Sequence, residues 1–377
     1  MNLIHEKTLA ILSRAIGGAN TQTVVSQDEV DDFMSFASAH TVQGLVADAV
    51  MHGQVDLVFD DNKRTDKKLC LVKLANLCTK FENTKRSFDE TLAEVAEVLK
   101  RENVDFVVFK GPAVADLYPT PWTRTMGDVD FYVPQWDYDK ALRTIEDGLG
   151  IKVKRCDVDK HDSFDYKGVH FEMHFQMETF GHDGHQRYFA DLIDDICRLK
   201  EFRYFEVAGR TNVPMLTPIA DLLVVFKHWF NHFIGEGVGL RQTTDLAVMI
   251  ERYKSLINIT DLRKHLKSIG YIKAFDAMVA LVDKYFGLKW DEYMPFIKER
   301  DYRMADLLMT DILSNGNFGR IDYKYRSGWK KRMETTSRFF SNCYRYFSLA
   351  PKEILCLIPK RIMISLKAHQ LTFNDER

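Results

Sequence analysis

Two apolar runs, one ending in a lysine and the other interrupted by two aspartates, constrain this chain more than any other feature. Phe106-Val107-Val108-Phe109 ends in Lys110-Gly111, and Arg124-Thr125-Met126-Gly127 leads into Asp128-Val129-Asp130-Phe131-Tyr132-Val133. Both runs read as β-strands. Side chains alternate across a strand, so Asp128 and Asp130 point to one side while Val129 and Phe131 point to the other. Two neighbouring carboxylates repel each other unless a cation lies between them, which suits a hard divalent metal such as Mg²⁺, or Mn²⁺ in its place. Lys110 and Gly111 stand nearby to meet phosphate, so the constellation points to phosphoryl or nucleotidyl transfer.

A third carboxylate extends the pattern. Val169, Phe171, Met173 and Phe175 alternate with His170, Glu172 and His174, and Lys167-Gly168 reads as a hairpin turn before them. A carboxylate at the centre of a polar strand face belongs beside a cleft. If this strand neighbours the one bearing Asp128 and Asp130, Glu172 completes a cluster able to hold two cations about 3.5–4 Å apart. Plainer readings stand beside these. An isolated Asp-x-Asp is also a solvated strand edge, and His170 and His174 fit ligands or a partly exposed face equally. His228 and His232, four apart, share a helix face that reads better as packing than as half a metal site. Arg241 and Asp245 have the same spacing and read as a pair. Arg124 sits in the loop before the acidic strand, either reaching a phosphate with its fork of donors or lying on the surface.

These residues, in this order, resemble the polymerase-β-like nucleotidyltransferase superfamily and, within it, a group of bacterial nucleotidyltransferase-like proteins. The resemblance rests first on Phe109-Lys110-Gly111-Pro112-Ala113 through Tyr118, Arg124 and Gly127-Asp128-Val129-Asp130. It continues through His170-Phe171-Glu172-Met173-His174, then Leu216-Thr217-Pro218, His228, His232 and Leu240-Arg241 to Asp245-Leu246-Ala247, covering roughly residues 30 to 250. It implies an α+β fold, a mixed sheet with flanking helices plus N-terminal and C-terminal helical regions. With the carboxylates and Lys110 it leads to the expected reaction, Mg²⁺-dependent transfer of a nucleoside monophosphate from an NTP to a hydroxyl-type acceptor on a small molecule, a protein or an RNA. Asp128, Asp130 and Glu172 would be catalytic and metal-binding, and Lys110, Gly111 and Arg124 nucleotide-binding. His174, His228, Arg241 and Asp245 would line the cleft. Many members of the superfamily carry Gly-Ser after the first strand, where this chain has Lys110-Gly111, with sixteen residues between Gly111 and Asp128. A catalytically silent nucleotide- or protein-binding module of the same fold is therefore the alternative.

At 377 residues the chain exceeds one ordinary core. The pattern divides it into an N-terminal helical region over 1–103, an α/β core over 104–215, a C-terminal helical domain over 216–322 and a basic helical tail over 323–377. In the first zone, Ser26-Gln27-Asp28-Glu29 is a capping box, Gly53 to Arg64 is a linker, and Leu71, Leu74, Leu92, Val95 and Leu99 mark a long helix over 67–102. Strands are expected near 105–109, 129–133, 151–156, 163–167, 169–175 and 203–208, and Thr217-Pro218 opens the third zone as an N-cap. A net charge of −2 gives no general polyanion signal, and no run of 18 apolar residues occurs, so a cytoplasmic chain is expected. The stretch 323–369 differs, with eleven Lys/Arg against two Asp/Glu among aromatic residues. It reads as a basic helical pair packed on the acidic body, or as a contact to nucleic acid or to an anionic membrane in an envelope pathway.

Overall fold

The structure is a computed structural model describing residues 1–18, 22–60, 64–156, 160–319, 321 and 328–361. Helices built on apolar stripes form its N-terminal layer. α1 (Leu3–Ala15) buries Leu9, Ile11 and Leu12, and Asn2 caps it by accepting from the His5 N–H at 3.0 Å. The capping box forms at Ser26, whose N–H and hydroxyl donate to the Glu29 carboxylate at 2.9 and 2.8 Å. It leads through a 3₁₀ turn into α2 (Val30–Ala39), and α3 (Gln43–Met51) follows. This zone is not wholly helical: β1 (Thr23–Ser26) and β2 (Val55–Val58) pair in parallel, burying Val25 and Leu57. Four-residue runs with one buried side chain in two are too short to stand out in the sequence, and β2 falls in the stretch expected to be a linker.

α4 (Arg64–Arg101) is the long helix that its stripe announces. Leu74 joins the core of the helical layer, while Leu92, Val95 and Leu99 pack under the sheet. The chain then alternates through β3 (Val107–Phe109), α5 (Gly111–Ala115), β4 (Val129–Tyr132), α6 (Tyr138–Leu149), β5 (His161–Tyr166) and β6 (Val169–His174). α7 (Asp183–Leu199), β7 (Arg203–Val207) and β8 (Thr211–Met215) follow. The six strands form one mixed sheet in the order β5-β6-β4-β3-β8-β7, with β4–β6 and β3–β8 parallel. Residues 151–156, expected to be a strand, make a single bridge from Lys154 to Ser163. Carboxylates take two more of the N–H groups there: Glu146 accepts from Val153 at 3.1 Å and Asp162 from Cys156 at 2.9 Å. β8 escaped the sequence pattern because Asn212 and Pro214 dilute it.

Val108, Val129, Phe131, Phe171 and Met173 form the apolar side of the sheet with α6 and the end of α4. The rings of Phe164 and Phe171 stack at 5.0 Å, and Phe131 meets both edge-on. Val107, Phe109 and Tyr132 face the other way, into the core shared with α8 (Pro218–Gly235), α9 (Leu240–Tyr253), α10 (Ile259–Ser268), α11 (Ile272–Phe286) and α12 (Glu299–Asn315). α1 and α3 join that core too, so the first and third zones pack as one body; Ser13 Oγ donates to the Phe286 carbonyl at 2.5 Å.

Part of the basic stretch is described, and it folds back. α13 (Gly328–Arg345) lies on α8, where Asn342 Nδ2 donates to the carbonyls of Phe233 and Ile234 at 3.2 Å. A last helix over 351–361 brings the fully buried Glu353 beside the loop after β6. Glu353 accepts from the N–H groups of Gly181 and His182, pairs with His185 Nδ1 at 2.9 Å, and faces Lys227 Nζ at 3.5 Å. Burial pushes the Lys227 ammonium down to about 8 even with Glu353 beside it. The remainder of the basic stretch lies outside the described residues. Among those residues no helix is long and apolar enough to cross a membrane.

Asp221, in the first turn of α8, has no exposed surface and accepts from the Tyr253 hydroxyl at 2.7 Å. Burial pushes its carboxyl up to about 6. Between about pH 4 and 6 the folded chain therefore keeps a proton that the unfolded chain releases, and stability falls as pH rises through that window. Asp221→Asn, which cannot ionise, should gain on the order of 1–2 kcal/mol over the wild type at pH 8. Urea midpoints at pH 8 and pH 4 check this: the gain should vanish at the lower pH.

Candidate active site

The site begins at the end of β3. The chain reverses at Lys110 and Gly111, whose φ values are +56° and +20°. A Cβ on Gly111 would lie 2.8 Å from the Asp128 carbonyl oxygen, so glycine lets this turn pass against the acidic strand. The turn aims Lys110 inward, placing its Nζ 3.4 Å from Asp130 Oδ1 and 3.7 Å from Glu178 Oε1. β4 pairs in parallel with β6 so that Asp130 lies directly across from Glu172. Asp128, one residue before β4, lines the same cleft as both.

Two histidines frame Glu172. The buried His174 has its Nε2 2.8 Å from Asp130 Oδ1 and 3.3 Å from Glu172 Oε2. His161 opens β5 opposite His174 and has its Nδ1 3.5 Å from Glu172 Oε2. His161, Glu172 and His174 offer ligand atoms all within 4.8 Å of one another. His170 instead pairs with the exposed Asp165 at 2.9 Å.

The carboxylates differ in charge state. Burial, then the negative charges of Asp130 and Glu172, push the Asp128 carboxyl above its ordinary range. For Asp130 burial works the same way, but the Lys110 ammonium and the His174 hydrogen bond outweigh it and hold the group well below. Burial of Glu172 is likewise overcome by its hydrogen bond to His174, and its carboxyl is lowered. Positive charge delivered beside Asp128 would relieve the remaining repulsion. The oxygen donors of Asp128 and Asp130 thus fit a hard cation.

A fourth carboxylate organises the floor. Glu178, buried in the loop after β6, pairs with Lys160 Nζ at 3.1 Å and His228 Nδ1 at 3.0 Å, and accepts from Asn231 Nδ2 at 3.3 Å. Burial opposes its charge, yet Lys160, His228 and Lys110 keep the carboxyl well below its usual range. Burial and the Lys110 charge push His228 down to about 4, so it is neutral at pH 7. His232 meets the His228 ring edge-on at 4.4 Å on the same face of α8.

At the far end, α9 supplies the buried Asp245. Arg124 grips it with two bonds, Nε to Oδ1 at 2.8 Å and Nη2 to Oδ2 at 3.0 Å, and the Tyr118 hydroxyl donates at 2.7 Å. Arg241 stands farther off, with Nη1 3.6 Å from Oδ2. Two guanidiniums around one carboxylate leave a unit of positive charge facing the cleft. The cleft holds about 700 Å³, within the usual size range of small-molecule sites. Segments outside the sheet complete its walls through Thr41, in the turn between α2 and α3, and through Trp229, Gln242, Asn317 and Arg361.

The ten residues given a catalytic, nucleotide-binding or cleft role from the sequence all line or buttress this one cleft, whereas His170, the other candidate ligand on β6, pairs away from it with Asp165. Lys160, His161, Glu178 and Asn231 were not anticipated. His161 had a signal, since His161, Ser163 and Asp165 continue the polar alternation of the hairpin. Glu178 lies in a loop and had none.

Residues 26–287 match the family model described as an uncharacterised nucleotidyltransferase, well over half of the chain. No curated protein matches it.

Glu178→Ala would leave Lys110, Lys160 and His228 facing one another without their shared acceptor. Removing one partner from a buried charge network costs about 3–5 kcal/mol, which urea unfolding would measure. A loss below about 1 kcal/mol would mean that water screens the network.

Proposed function

We propose that this chain, which belongs to the uncharacterised nucleotidyltransferase family, transfers a nucleoside monophosphate from an NTP to a hydroxyl-type acceptor and releases pyrophosphate. One observation carries the reading. Asp128, Asp130 and Glu172, from paired strands, face a single cleft together with Lys110, Lys160 and Arg241. Such a cleft receives a triphosphate only with added positive charge, and Asp128 and Asp130 are the residues that would hold it as Mg²⁺ or Mn²⁺. The bound cations would supply charge neutralisation at the triphosphate. The stretch 104–215 would be the catalytic unit, with 1–103 and 216–322 completing the cleft walls and the described residues 328–361 packed on α8 and reaching the cleft at Arg361.

The chain's own groups divide the remaining work. The Lys110-Gly111 turn faces the phosphates, and Lys110 keeps Asp130 ionised meanwhile. Arg241 is the guanidinium offered to a phosphate, since its one carboxylate partner is already gripped by Arg124. Arg124, expected to clamp a phosphate, lines the same cleft and holds Asp245 in place. The acceptor oxygen attacks the α-phosphorus, the bond to the α–β bridging oxygen breaks, and pyrophosphate departs. Glu172 stands on the acceptor side, where a carboxylate serves as ligand or as base for the acceptor proton.

A second reading has its own observation. Lys110 Nζ lies 3.4 Å from Asp130, where an ammonium can substitute for a cation in a silent nucleotide-binding module. Calorimetric titration of the four NTPs, with and without Mg²⁺, separates the two. Transfer requires Mg²⁺-dependent binding and pyrophosphate release, both abolished in Asp128→Asn and Asp130→Asn. Arg241→Ala should weaken binding about tenfold, or roughly 1.4 kcal/mol. Nucleotide binding that ignores Mg²⁺, without pyrophosphate release, would sink the transfer reading and leave the silent module.

A further inference from the structure

The hairpin of β5 and β6 gathers two imidazoles and a carboxylate, His161, Glu172 and His174, with their ligand atoms within 4.8 Å of one another. Cross-strand pairing sets His161 opposite His174 and Ser163 opposite Glu172, so both imidazoles and the carboxylate project from one face. Glu172 Oε2 is 3.5 Å from His161 Nδ1 and 3.3 Å from His174 Nε2. The short contact of His174 Nε2, 2.8 Å, goes to Asp130 Oδ1, and both contacts to Glu172 exceed the roughly 2.7–2.9 Å of a close charge-assisted bond. A metal bound by nitrogen and oxygen at about 2.0–2.2 Å in tetrahedral geometry spaces its ligand atoms about 3.4 Å apart. Both contacts match that spacing. His174 has no exposed surface and its Nδ1 has no hydrogen-bond partner, so the ring is engaged on its Nε2 side, toward Glu172 and Asp130.

We propose that His161, Glu172 and His174 form a site for a divalent transition metal of the Zn²⁺ class, separate from the all-oxygen position at Asp128 and Asp130. Two imidazoles and one carboxylate are the donor set of a three-ligand zinc centre, whose fourth position stays open. Mg²⁺ prefers oxygen and matches these donors poorly. His161 and Glu172 both line the cleft, so the fourth position faces it and would take a water or an acceptor hydroxyl. Ligation uses the imidazole lone pair, so His174 would bind through an unprotonated Nε2 and carry its ring proton on Nδ1. The site rests on the transfer reading only for the role of the cleft, and within that reading it makes Glu172 a ligand rather than a base.

The test uses the full chain, stripped with chelator and then titrated separately with Zn²⁺, Mn²⁺ and Mg²⁺ in the absence of nucleotide. Metal retained after dialysis is counted by mass spectrometry. The site predicts one tightly held Zn²⁺ per chain, bound at least about tenfold more tightly than Mg²⁺. His161→Ala should weaken Zn²⁺ at least about tenfold and abolish the visible bands of a Co²⁺-substituted protein. His170→Ala, on the same hairpin but paired outward with Asp165, should leave binding unchanged. The wild-type preference for Zn²⁺ needs no variant, so a misfolded His161→Ala would not rescue the idea. No retained Zn²⁺, no preference over Mg²⁺, or equal weakening in both histidine variants overturns it. Should Mg²⁺-dependent NTP binding persist while Zn²⁺ binding fails, only this site is wrong. Should Zn²⁺ bind while NTP binding fails, the site stands and the transfer reading falls.

Discussion

The parallel pairing of β4 with β6 is the contact on which the rest of the cleft depends. It sets Asp130 across from Glu172 and, on the opposite side of the same two strands, packs Phe131, Phe171 and Met173 into the core. Side chains alternate with a period of two, so a slip of one residue would turn the carboxylates into the apolar core and the phenylalanines into the cleft. The apolar side therefore fixes the register of the acidic side. The driving force is burial of aromatic surface, and the position of the carboxylates follows from it.

Around that register the molecule arranges an unusual amount of buried charge. Asp130, Glu178, Asp245 and Glu353 are each almost or completely buried, and each is met by cationic or N–H donors from a different element. Asp130 draws on the turn after β3 and on β6, Glu178 on α8 and the start of β5, Asp245 on the loop before β4. Burying a carboxylate is costly unless partners surround it. Each of these groups consequently fixes the position of several elements at once, which is how loops come to hold a cleft in shape. Asp128 is the exception, crowded by like charge and held above its ordinary range.

What the sequence revealed was whatever local pattern encodes. Alternation exposed the strands bearing Asp130 and Glu172, Lys110-Gly111 marked the turn, and the stripe from Leu74 to Leu99 gave the long helix. The family model agrees with the nucleotidyltransferase fold those motifs imply. Signals carried by distant partners were not legible. β1 and β2 exist because Val25 and Leu57 share a core with helices far along the chain. In residues 151–156 only Lys154 pairs across to β5, while the N–H groups of Val153 and Cys156 go to the carboxylates of Glu146 and Asp162. Spacing along one helix joined Arg241 to Asp245, but Arg124, 121 residues before Asp245, makes the tighter pair. Glu178 sits in a loop without periodicity, and only the fold shows that four side chains converge on it.

The contact between Glu353 and the loop at Gly181 has a consequence in time as well as in space. A Cβ on Gly181 would come within 2.5 Å of the Glu353 carbonyl, so the last helix presses directly on the segment that follows Glu178. Asp128, Asp130, Glu172 and Glu178 are all synthesised long before residue 353. Until residue 353 is made, the chain has no Glu353 to face Lys227 or to accept from the N–H groups of Gly181 and His182. The acidic wall is thus an early product of synthesis, and its finished shape is a late one.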